Sequence, residues 1–326
     1  MTDKRQSRIF NWALAAGVTL SGAIALRSFI PSANAIESQM VTLQFEGMVG
    51  EAPFACGETY SLGTPASPMT PLDFRFYVSE VALIDAAGNE VPLVLQQDGK
   101  WQHQDVALID FEDKSGACAN GTPDTRAQVV GSVPAGDYTG VKFTLGVPFA
   151  MNHVDSTLAP SPLNLTSLWW NWNFGYKFAR IDLAPATDAA QVRQHTDHGG
   201  TGDHGGAVQH GDGTGDSGNQ KPEAFQGFAF HLGSVGCQMD STQAPVVCGS
   251  PNRAEVVFAD FDPAQDVIVA DLAALVANTN LTENQENTAV GCMSSPDDND
   301  CAGLMQSLGL PFNDQPVLEQ TFFSVK

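Results

Sequence analysis

The sequence predicts a mainly β protein: an antiparallel sandwich or barrel-like single domain with long loops, one or two short helices and disulfide staples. Three observations carry that expectation. Apolar and polar residues alternate with period two in many short stretches, the pattern of a strand with one buried face. Turn residues separate these stretches with no long amphipathic helix between them, which favours antiparallel neighbours over helix-connected parallel ones. Six cysteines, an even number, stand in the chain.

Residues 1–35 read as a secretory signal peptide. Lys4, Arg5 and Arg8 form its positive start, residues 10–30 are largely apolar, and Ala33-Asn34-Ala35 is a small-x-small cleavage site. Arg27 and Pro31 interrupt the apolar run, whereas a membrane anchor needs ~20 apolar residues in a row. The expected mature domain is 36–326, in a periplasmic or otherwise oxidising compartment, where six cysteines read as disulfides. Spacing favours Cys237 with Cys248 and Cys292 with Cys301, leaving Cys56 with Cys118. A thiolate metal site is the sharper reading of the cysteines, but no Cys-x-x-Cys is present.

The first strand is Val41-Thr42-Leu43-Gln44-Phe45-Glu46, followed by a turn around Gly50 and Pro53. Alternation returns in Asp73-Phe74-Arg75-Phe76-Tyr77-Val78, continues through residues 81–84 and stops at Ala87-Gly88-Asn89. Residues 90–95 contain Pro92, which lacks a ladder donor and marks an edge strand. Further strands are expected at 106–111, 128–133, 138–147, 176–183, 225–231 and 254–261, with a last one returning within 316–325. Helices are expected at 271–277, with Asp271 as its cap, and near 302–308.

The charge balance is 15 basic against 37 acidic residues, net −22. That excludes the basic footprint of a nucleic-acid binder and suits a protein that attracts cations and cationic partners. Residues 184–221 are rich in Gly, Asp, Gln and Thr and nearly free of large apolar side chains, so they read as a flexible insertion. The insertion holds four of the seven histidines, His195, His198, His204 and His210. It is either a tolerated loop or an accessory gatherer of metal ions, since imidazole suits copper, zinc and nickel.

Three of the five tryptophans, Trp169, Trp170 and Trp172, fall within four residues. They form either a dense core knot or a redox-relevant cluster. Strand alternation sends Trp170 and Trp172 to one face and Trp169 to the other. Of the remaining histidines, His103 reads as a surface residue. His153 follows the clearest strand and His231 ends another, so the two converge if both strand ends meet; as a pair they suit copper better than calcium or magnesium. No Gly-x-Ser-x-Gly, P-loop, His-Glu-x-x-His or Cys-x-x-Cys-His occurs, and no Gly-x-Gly-x-x-Gly opens a helix after a strand. Nothing in the chain signals an enzyme.

Several pieces together resemble a known family. They are Asp110-Phe111-Glu112-Asp113 with Cys118, Val147-Pro148-Phe149 with Asn152-His153, and Trp170-x-Trp172 with Gly175-Tyr176-Lys177-Phe178 and Arg180. His231-Leu232-Gly233-Ser234 with Gly236-Cys237, and Cys248 with Pro251-Asn252-Arg253, complete the set. The combination, from about residue 41 to 261, resembles the MbnP-like proteins, exported copper-binding proteins named for the methanobactin operons and carrying a four-cysteine motif. The resemblance implies a di-haem peroxidase-like partner (MbnH-like) that oxidises a tryptophan to kynurenine, and a copper site built with histidines beside it. Carried over, the modified residue is Trp170 or Trp172, the metal ligands are His153, His231 and that tryptophan, and the family cysteines are Cys56, Cys118, Cys237 and Cys248. The pair Cys292 and Cys301 and the histidine-rich insertion are departures from the simplest pattern.

The expectation is therefore a periplasmic copper-binding protein, substrate of a partner oxidase and concerned with copper acquisition or handling. The alternatives are a secreted scaffold or adhesion domain with core tryptophans and a low-affinity histidine metal site, and an enzyme that uses bound metal for oxidation.

Overall fold

The structure, a computed structural model, describes residues 37–171, 173–186 and 227–326. The expected signal peptide, Trp172 and the four histidines of the insertion lie outside the described residues.

The chain opens with β1 (Ser38–Val49), whose even-spaced Val41, Leu43 and Phe45 are buried as the alternation predicts. Two short strands follow, β2 (Ala52–Pro53) and β3 (Tyr60–Leu62). β4 (Ser67–Asp85) fuses the two expected alternating stretches into one strand of 19 residues. The proline-containing stretch divides into β5 (Glu90–Pro92), on the edge of one sheet, and β6 (Val94–Leu95), on the edge of the other. Then come β7 (Gln102–His103), β8 (Val106–Asp110), β9 (Gln128–Pro134) and β10 (Tyr138–Leu145). After the one-turn helix α1 (Phe149–Asn152) the chain forms β11 (Trp169–Asn171), β12 (Gly175–Tyr176) and β13 (Ala179–Pro185). β13 thus runs two residues into the stretch assigned to the insertion.

The second half contributes β14 (Phe228–Leu232), β15 (Val235–Met239), β16 (Pro245–Ser250), β17 (Ala254–Phe258) and β18 (Val267–Asp271). Helix α2 (Leu272–Leu275) starts where expected, with the Asp271 carboxylate accepting from the Ala273 amide. Helix α3 (Ala302–Ser307) and the short β19 (Phe323–Val325) close the chain.

Two sheets result. The smaller has the order β19-β18-β1-β9-β6, and the larger β14-β13-β4-β10-β17 with β3, β5 and β8 along β4. Pairing is antiparallel, with the exception that β1 and β18 run parallel. The inner faces meet through phenylalanines: Phe45 of β1 packs edge-on against Phe76 of β4 and Phe143 of β10, and Phe323 of β19 does the same. Each such pair adds about 0.5–1.5 kcal/mol beyond its buried area. The three disulfides are Cys56–Cys118, Cys237–Cys248 and Cys292–Cys301, as spacing favoured.

The outer face of β4 is buried as well. The segment 148–168 lies over it, with Tyr77 Oη donating to Pro162 O at 2.9 Å and Arg180 Nη1 to Ser167 O at 3.0 Å. This cover determines where the candidate site forms.

Candidate metal centre

The tryptophan stretch folds back on itself as the ribbon β11–β12. Asn171 makes the reversal, its Oδ1 accepting the amides of Asn173 (2.9 Å) and Phe174 (3.0 Å). Gly175 follows with φ +79, and a Cβ there would stand 2.3 Å from Asn152 O; only glycine tolerates both conditions. Asn152, fully buried at the end of α1, accepts the Tyr176 amide at 2.9 Å. The ribbon is thereby tied to the residue next to His153.

Alternation separates Trp169 from Trp170 as expected. Trp169 packs on the core, and its Nε1 is buried with no partner among the described residues. Trp170 turns to the other side, edge-to-face with Phe174 and against Gly233, where a Cβ would stand 2.4 Å from Cζ3.

His153 sits under Phe149, ring centroids 5.0 Å apart. Its Nε2 lies 3.4 Å from Asn152 Nδ2 and 3.7 Å from Cys248 Sγ. Cys248 is bonded across the second ribbon, β15–β16, to its register partner Cys237.

His231 is built differently. It is 6% exposed on β14, and its Nε2 lies 2.8 Å from Asp182 Oδ1 on β13. Burial lowers its pKa, and the nearby Lys177 and Arg180 push the same way against the pull of Asp182. Burial pushes Asp182 up, but Arg180 and the hydrogen bond from His231 outweigh it and hold the carboxylate ionised, well below its ordinary range. The ring is therefore neutral. With Nε2 donating to Asp182, the hydrogen-bond network assigns the lone pair to Nδ1.

Behind His231 a charged layer crosses the sheet. His231, Arg180, Arg75 and Asp110 are register partners on β14, β13, β4 and β8. Asp73 pairs with Arg75 through both carboxylate oxygens, and Arg180 Nε reaches Asp182 at 2.8 Å and Asp73 at 3.0 Å. Asp110 is pushed up to about 8 by burial and by its acidic neighbours Glu112 and Asp73, with Arg75 opposing. The sequence reading missed Asp73, Arg75 and Asp182 as site supports. Their signal was charge at alternate positions of strands that are otherwise apolar.

The turn after His231 is also held from outside. Ser294 Oγ donates to His231 O and accepts the Gly233 amide, both at 3.0 Å. Cys292 pairs with β14, its carbonyl accepting the His231 amide at 3.0 Å. The departure pair Cys292–Cys301 thus anchors the segment that braces His231. Asn252 Nδ2 donates to Gly233 O at 2.8 Å.

The structure therefore gathers His153, Trp170 and the β14–β15 turn around one ribbon, with His231 two residues before the glycine that receives Trp170. His103 stands elsewhere, on a groove with Met151, Val154 and Leu158.

These features define a class: a disulfide-stapled β-sandwich with a histidine- and tryptophan-bearing corner backed by buried charge. The family model of MbnP matches residues 38–294, and the chain belongs to the MbnP family, the proteins named for the methanobactin operons. A similar solved structure is MbnP from Methylosinus trichosporium, 28% identical, with a TM-score of 0.68 over 89% of this chain and 99% of that one. No curated protein matches. No helix among the described residues is long and apolar enough to cross a membrane.

Proposed function

We propose that the chain is an exported, periplasmic copper-binding protein. In this reading a di-haem peroxidase-like partner opens Trp170 or Trp172 to kynurenine, and His153 and His231 bind copper with the product. The protein is then the partner's substrate rather than an enzyme, and it serves copper acquisition or handling.

The observation that carries this reading is His231. Its carboxylate-backed imidazole, neutral and with Nδ1 unpaired among the described residues, is the arrangement that orients a metal-binding histidine. The donor set fits the ion: two imidazoles, plus the aromatic amine and carbonyl that ring opening creates, suit copper. The chain's own part is positional. Asp182 fixes the His231 tautomer, Asn152 sets the ribbon beside His153, and Gly233 leaves room for the Trp170 ring. Bound copper supplies a soft Lewis acid at that corner.

The test is peptide mass spectrometry on protein from its native periplasm. Ring opening to N-formylkynurenine, or to kynurenine after loss of the formyl group, at Trp170 or Trp172 supports the reading. Unmodified tryptophans in cells that express the partner would sink it and leave a scaffold with a generic histidine site. A second check is copper affinity in a variant lacking residues 190–215. It should fall when both His153 and His231 are changed to Ala.

A further inference from the structure

The ribbon β15–β16 stands apart from both sheets, and among the described residues its strands pair only with each other. Val246 and Val247 on it are 53% and 51% exposed. Cys237 is half-buried, whereas Cys292 and Cys301 are fully buried. The His153 imidazole faces the Cys237–Cys248 bond, and one ring nitrogen and the two Sγ atoms lie within 4.8 Å of one another.

We propose that this is a redox-gated metal site. Reduction of the Cys237–Cys248 bond creates a thiolate–thiolate–imidazole set, with His153, for a thiophilic d10 cation, Cu(I) above all. The balance is simple. A dithiol gives up two electrons and two protons and becomes a disulfide, while the Cys237–Cys248 bond breaks to two thiols. Binding the cation then releases the two thiol protons.

The spacing suits such an ion. Bonds of about 2.05 Å to nitrogen and 2.3 Å to sulfur, at a tetrahedral angle, place N and S about 3.6 Å apart and the two sulfurs about 3.8 Å apart. His153 Nε2 and Cys248 Sγ already stand 3.7 Å apart. The two sulfurs must separate and Cys237 Sγ, within 4.8 Å of the ring nitrogen, must take its place in the set, by side-chain rotation on a ribbon whose strands pair with each other alone among the described residues. Thiolate and imidazole are donors that a soft ion selects, and thiolate rather than disulfide sulfur is the ligand. The state of one bond thus decides whether His153 acts with sulfur partners or without them. The site shares His153 with the copper site proposed above but needs neither His231 nor a tryptophan, and a sulfur shell around the ion distinguishes the two.

The test is copper K-edge X-ray absorption on the full chain carrying one equivalent of Cu(I). It is run with and without prior reduction by a phosphine that is removed before loading, and alkylation mass spectrometry reports which cysteines have opened. The expected result is copper–sulfur scattering at about 2.3 Å only after Cys237 and Cys248 have opened. The scattering is absent in the Cys237→Ser, Cys248→Ser double variant. Should that variant not fold, alkylating the two thiols of the reduced native chain must abolish the same signal. His153→Ala should keep the sulfur shell and weaken Cu(I) binding by about tenfold or more against a chromophoric chelator, since one of three ligands is lost. The proposal is overturned by absence of sulfur scattering from protein with both thiols open, or by its survival in the double variant. It is equally overturned if Cys237–Cys248 stays closed under conditions that open Cys292–Cys301.

Discussion

The six-membered ring of Trp170 occupies the space in which a Cβ of residue 233 would stand. Gly233→Ala must therefore displace the ring or the turn. Overpacking of this kind costs about 1–3 kcal/mol. Urea denaturation should show that loss, and tryptophan emission of the folded variant should shift. An unchanged midpoint and spectrum would mean that the contact is dispensable.

Asp182→Asn removes the charge that orients His231. Loss of such an outer partner typically lowers metal affinity 10–100-fold. Nitrogen NMR of the ring should report Nε2–H in the native chain without metal, and a mixed tautomer in the variant. If both proteins give the same tautomer and bind copper equally, Asp182 plays no part in orienting the ligand.

Asp110 gives stability a pH dependence with a definite sign. Its folded pKa is raised from 3.8 to about 8, so the folded protein holds this proton more tightly than the unfolded chain does. That stabilisation is complete below the ordinary carboxylate range and is lost as pH rises through about 8. The melting temperature of the native chain should fall across this window. Asp110→Asn, which cannot ionise, should show a flatter profile, and parallel profiles would refute the assignment.

Ser294→Ala removes one hydroxyl that serves both Gly233 N and His231 O. An unsatisfied buried amide costs about 1–3 kcal/mol. Hydrogen exchange at the Gly233 amide should accelerate in the variant while the amides of β10 remain unchanged. Equal acceleration at both would indicate global destabilisation instead.

Much of the fold was legible because period-two patterning survives wherever one face of a strand meets the core. β1 and β9 follow it, and Asp271 caps its helix as its side chain predicts. The exposure of β4 was not legible. Asp73 and Arg75 alternate with Phe74 and Phe76 like a solvated face, yet residues 148–168 cover them, and no local pattern announces a long-range cover. The parallel partner of β1 was hidden for the same reason, since pairing across more than two hundred residues leaves no mark in either strand. The ribbon β15–β16 escaped because its residues are mixed in polarity and no core face imposes alternation. In the site, His153, His231 and Trp170 stood out by residue type. Their supports Asp182, Ser294 and Gly233 are ordinary residues that matter through contacts far apart in sequence.

β14 is the last strand of the larger sheet, and all five of its residues are buried. An apolar edge of that kind invites another chain to add a strand. The bridge from Phe230 to Cys292 covers it with the chain's own backbone, and the Cys292–Cys301 bond keeps the cover from drifting. The same cross-link that braces His231 therefore guards against aggregation, so a protein that lost it would become prone to edge-to-edge self-association as well as less well ordered at its histidine.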